Sequence, residues 1–147
     1  MVSKVRIWIA SITSMVLIGA AMLPSARAAD QPAATAAASS AAKSWLKLVD
    51  HGDYHGSFVQ ASTLFKSAVS ADQWSQQAGA VRKPLGALIS RRPKSVTYAT
   101  SLPGVPDGQY VVIQYDSSFE RKQSAVETVT PMLDKDGQWR VSGYYIK

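Results

Sequence analysis

The 147-residue chain contains no cysteine. No disulfide can brace it, so the fold rests on packing alone. The same absence excludes a thiol nucleophile, a haem-attachment motif, a thiolate zinc site and an acylated lipoprotein cysteine. Histidine is scarce, with two in the chain. No Gly-x-Ser-x-Gly stretch supports a serine nucleophile. There are no internal repeats. The apolar stretch Ile7–Met22 is shorter than the ~20 residues of a spanning helix, and it carries Ser11, Thr13, Ser14 and Gly19.

What is present begins with an export pattern. Lys4 and Arg6 open the chain, Ile7–Met22 follows, and Ala26-Arg27-Ala28 gives a small-residue cleavage site. This reads as a secretory signal peptide over 1–28, cut after Ala28, with a retained anchor as the competing reading. A periplasmic or secreted location is expected. Three of the 16 basic residues lie in that segment, and the rest outnumber the 10 acidic ones by three. So mild a balance demands no generic electrostatic partner. Residues 29–40 are Ala-, Ser- and Thr-rich, and read as a disordered tether or a frayed helix start.

From 41 to 147 the chain reads as one α+β domain. Ala41, Trp45, Leu46 and Val49 recur at helical spacing, with Gly52 as a stop. Asp53 caps a second helix with Tyr54, Phe58, Ala61, Ser62, Phe65 and Val69 on one stripe. Ser70 with Gln73 predicts a capping box for a third helix, which Pro84 ends. Residues 83–89 form a bent apolar connector. Strands follow at 95–102, 109–117, 123–133 and 138–146, the last two joined by a turn at Asp134-Lys135-Asp136-Gly137. Pro131 marks a bulge or unpaired edge. In the last strand Trp139, Val141, Gly143 and Tyr145 share one face by strict alternation. Three helices then four strands predicts an antiparallel meander packed on a helical layer.

Several groups could carry chemistry. Glu127 lies mid-strand between Ala125 and Val129, and Asp50, Tyr54 and His55 lie at a helix junction. A carboxylate facing an apolar interior could abstract a proton, as in a small isomerase or dehydratase. The alternative pairs Glu127 with Arg82 or Arg91 through a guanidinium fork. Arg82, Lys83, Arg91, Arg92 and Lys94 form a basic run, either an envelope-surface adaptor or solvated loop. Nucleic acid is not expected, since no binding motif accompanies these charges. His51 and His55, and Asp134 with Asp136, lack the further ligands of a metal site. No metal or cofactor is implied. The aromatic residues, Tyr115 among them, read as core or as the lining of an apolar pocket. Ser62 is expected to bond a backbone carbonyl.

The scattered polar and glycine positions carry a resemblance. They are Trp45-Leu46, Val49-Asp50, Gly52-Asp53-Tyr54, Ser62, Phe65-Lys66, Trp74, Arg82, Pro84-Leu85-Gly86 and Ser90-Arg91. The strand half adds Leu102-Pro103-Gly104, Pro106–Val112, Tyr115, Phe119, Lys122, Glu127-Thr128-Val129, Gly137–Val141 and Gly143–Ile146. Over about 42–147 the chain resembles the uncharacterised bacterial family called domain of unknown function 4019. The resemblance implies a helices-then-sheet order similar to cystatin-like and NTF2-like rolls. It implies no catalytic set, since the family has no established activity. The expected role is a non-catalytic binding or accessory module, with an envelope protein or a small apolar or anionic ligand as partner. The residues named for binding are Glu127, Arg82, Arg91, Asp50, Tyr54 and Tyr115.

Overall fold

A computed structural model describes residues 26–147. The expected signal segment therefore lies outside the described residues, except for its last three. Helix α1 runs Ala26–Asp50, α2 Tyr54–Val59, α3 Thr63–Ala68 and α4 Ala71–Arg82. A 3-10 turn, Lys83–Leu85, leads into strands β1 Leu88–Ala99, β2 Tyr110–Phe119, β3 Lys122–Leu133 and β4 Trp139–Ile146. The four strands form one antiparallel sheet in chain order.

The stretch read as a tether, 29–40, is helical in α1. It lacks large apolar side chains, but alanine favours helix, and Ala38 and Ala42 are fully buried against the core. Small side chains let the helix sit close to its neighbours, and α1 contacts all four strands. It ends as expected at Gly52, whose φ is +76°. There Asp53 N–H reaches Leu48 O at 2.9 Å and Gly52 N–H reaches Val49 O at 3.1 Å, a glycine-terminated Schellman stop.

The single second helix expected over 54–69 is two helices. Ser62 divides them. Its extended backbone starts α3, and its hydroxyl oxygen accepts from Phe65 N–H at 3.1 Å. This corrects the expected carbonyl bond: the side chain is a cap acceptor. Ser62 N–H donates to Val141 O at 2.9 Å, which fastens the break to β4. The Ser70–Gln73 capping box forms as read.

Two strands also depart from expectation. β1 starts at Leu88, so the basic run at 90–94 is strand, not connector. Pro93 is tolerated there because β1 is an edge strand, and register shifts flank it. In β4 the register passes from Thr130↔Gly143 to Pro131↔Val141 and leaves Ser142 unopposed. This is the bulge that Pro131 announced, and it inverts side-chain parity. Val141 and Tyr144 therefore both face the core, while Tyr145 is 60% exposed. Between helices and sheet, Trp45, Phe65, Trp74 and Tyr144 pack with ring centroids 5.0–6.3 Å apart. Both indoles donate to Ser57, Trp45 to its carbonyl at 2.8 Å and Trp74 to its hydroxyl at 2.9 Å.

Candidate functional site

Four charged side chains meet beside this aromatic core. Asp50 is the last residue of α1, Arg82 the last of α4, Arg91 lies on β1 and Glu127 on β3. The parity of β1 turns Arg91 inward, opposite Ser117 of β2. The parity of β3 turns Glu127 inward, and its side chain is 0% exposed.

Arg91 faces both acids at once. Its Nε and Nη2 donate to Glu127 at 2.6 and 3.0 Å, and its Nη1 and Nη2 donate to Asp50 at 2.7 and 2.9 Å. Arg82 repeats the bridge, with Nη2 to Asp50 at 2.7 Å and Nη1 to Glu127 at 3.2 Å. Tyr144 O–H donates to Glu127 Oε1 at 2.6 Å, and its oxygen accepts from Arg82 Nη1 at 3.1 Å. Ser117 O–H donates to Glu127 Oε2 at 2.5 Å. Glu127 thus accepts five hydrogen bonds, and two cations balance two anions. Arg82 also lies over Phe119, its guanidinium carbon 4.7 Å from the ring centroid. Arg82 Nε is the one buried side-chain polar atom without a partner among the described residues.

The local electrostatics follow from these contacts. Burial pushes the Asp50 carboxyl up, but the hydrogen bonds and charges of Arg91 and Arg82 outweigh it, and the net shift is downward. Burial would lower Arg91, yet Asp50 and Glu127 hold its guanidinium protonated more firmly than usual. Burial, then the charge of Glu127, drives the Tyr144 phenol up despite Arg82. Tyr115 rises for the same first reason.

Of the residues read as binding candidates, Asp50, Arg82, Arg91 and Glu127 come together. Tyr115 sits opposite Glu127 in the β2–β3 ladder and is buried. Tyr54 stands apart at the start of α2, its ring near Gly79. The five basic residues do not form one patch. Arg82 and Arg91 turn inward, Lys83 and Arg92 are exposed, and Lys94 pairs with Asp116 at 3.1 Å. The two histidines lie on separate elements, either side of the Gly52 stop. Asp134 is used structurally, accepting from Thr63 N–H and O–H at 2.9 Å each. Ser117 and Tyr144 complete the cluster beyond the residues named for binding. Strand alternation gives no signal that singles out Ser117. Tyr144, read only as one of the core or pocket aromatics, is placed by strict alternation on the face opposite Val141, which the bulge reverses.

A free base needs a lone pair directed at a substrate, and Glu127 has its oxygens saturated. The fold and cluster define an α+β domain, an open antiparallel meander on helices, with a closed ionic knot. The chain belongs to the family described as "Protein of unknown function (DUF4019)", whose model matches residues 41–144. No curated protein and no solved structure matches it.

Proposed function

We propose that this chain is an exported, non-catalytic binding or accessory module of the cell envelope. Its helices and sheet would form a roll of the cystatin-like or NTF2-like kind, with α1 lying across all four strands. The observation that carries the reading is the saturation of the ionic knot. Every carboxylate oxygen in it is taken by a side chain of the same domain. The interior polar groups are committed to one another, so recognition falls to the surface. The export half rests on the basic start, apolar stretch and small-residue site of residues 4–28. No helix among the described residues is long and apolar enough to cross a membrane.

The test is made in a bacterial host. Intact mass should show a chain beginning at Ala29 in the envelope fraction. Photo-crosslinking residues, placed one at a time over the exposed surface, should give discrete products at a subset of positions. A chain retained in the cytosol with its leader overturns export. No product from any surface position overturns the binding role.

A further inference from the structure

The two edges of the sheet are built differently. β1 is irregular, with two register shifts, Pro93 in mid-strand and the exposed charges Arg92 and Lys94. Those are the devices that keep an edge from pairing with other chains. The last turn of β4, Tyr144–Ile146, has none of them. Val126 and Lys147 exchange both backbone hydrogen bonds, at 2.9 and 3.1 Å. By alternation from that pair, Tyr145 and Gly143 also bond to β3, while the N–H and C=O of Tyr144 and Ile146 point off the open side. Further along, the edge is covered, since Val141 O accepts from Ser62 N–H.

α4 runs beside this open stretch. With β4 it forms a groove of about 200 Å³, lined by Trp74, Ala78, Val81, Tyr144 and Ile146 among others. Val81 is 46% exposed. A free strand edge flanked by a helix is the arrangement that takes an extended peptide as an added strand. The chemistry of the peptide follows from parity. Directly opposed residues of an antiparallel pair share a face. Tyr144 and Ile146 face the helical side, as their β3 partners Val129 and Glu127 do. The residues paired with them would therefore also point at α4 and Val81, and would be apolar and two apart.

We propose that the Tyr144–Ile146 edge, with α4, is a docking site for a short extended segment of a partner protein carrying two aliphatic side chains at alternate positions. Size argues for a segment rather than a second copy. At about 3.3 Å per residue the open edge holds four or five residues. Stable protein pairs bury about 1,200–2,000 Å², far more than such a strip offers. The proposal rests on the binding-module reading and names its partner class.

The test uses the full chain and a capped seven-residue peptide alternating valine and threonine. A second peptide is N-methylated on its valine amides, the groups that would pair with the edge. Binding is followed by amide chemical shifts and hydrogen exchange. Shifts at 144–147 and protection of the Tyr144 and Ile146 amides are expected, with binding about tenfold weaker for the methylated peptide. Val81→Glu should weaken binding similarly with the melting temperature unchanged. Equal binding of both peptides, or no shift at 144–147, overturns the site. So does protection of those amides without peptide, accompanied by a dimer in sedimentation, which would assign the edge to a second copy. Surface crosslinks elsewhere would sustain the module reading even then.

Discussion

Glu127 carries the heaviest single-residue burden, because its charge is fully buried and five donors converge on it. Removing one partner of a buried ionic set leaves the others uncompensated, at about 3–5 kcal/mol. Glu127→Gln keeps the shape but not the charge, and leaves two guanidiniums sharing the single charge of Asp50. A loss of that size is expected in urea unfolding of the purified protein. Arg91→Lys keeps the charge but loses the fork that grips both acids, and should cost about 1–3 kcal/mol by the same measurement. Asp50 sets a pH dependence. Its folded carboxyl sits below the ordinary value of 3.8, so the folded state binds fewer protons there than the unfolded chain. Its contribution is complete above that value and is lost as pH falls through the folded pKa. Asp136 behaves likewise: hydrogen bonds from Arg140 and the Gln138 backbone hold it down to about 2. Unfolding free energy should therefore decline as pH falls below about 4, and Asp50→Asn should flatten part of that decline.

At the level of elements, the caps and the bulge decide which faces meet. Ser62→Ala removes the α3 cap and should cost about 1 kcal/mol, up to about 2, measured by thermal unfolding. Deleting Ser142 tests the bulge. Without it, the pairs Val129↔Tyr144, Thr130↔Gly143 and Pro131↔Val141 become consecutive on both strands, so alternation alone keeps Tyr144 inward on Glu127 and Arg82. Cooperative unfolding should therefore survive by near-ultraviolet circular dichroism, which reports the packed aromatic rings, and its loss would show that the bulge itself is required. These elements also show what could be read in advance. The meander, the Asp134–Gly137 turn and the capping box each follow from residues adjacent in sequence, whose physics is local. The pairing of Glu127 with an arginine was readable as a preference, since both arginines flank the segment that must meet the sheet. The inward turn of Tyr144 was not, because it depends on one unopposed residue that the two-residue period cannot express. The helix over 29–40 was hidden by composition: alanines look unstructured when judged by apolar bulk, yet they suit close helix packing.

For the whole molecule, the absence of cysteine makes a plain statement: reducing agent should leave the melting temperature unchanged, as calorimetry with and without dithiothreitol would show. Stability comes instead from one aromatic core and the ionic knot beside it. That knot draws side chains from α1, α4 and all four strands. Such shared ownership restricts how the fold can be recombined. A chimera that exchanged α4 or β3 with another family member would break unless it imported the matching acid or guanidinium too. The connection over 100–109 contributes no side chain to the knot; its ties run to the strand ends, from Gly108 N–H to Thr100 O and from Leu133 N–H to Gln109 O. Among relatives, a change at any one knot position should accordingly travel with changes at the others.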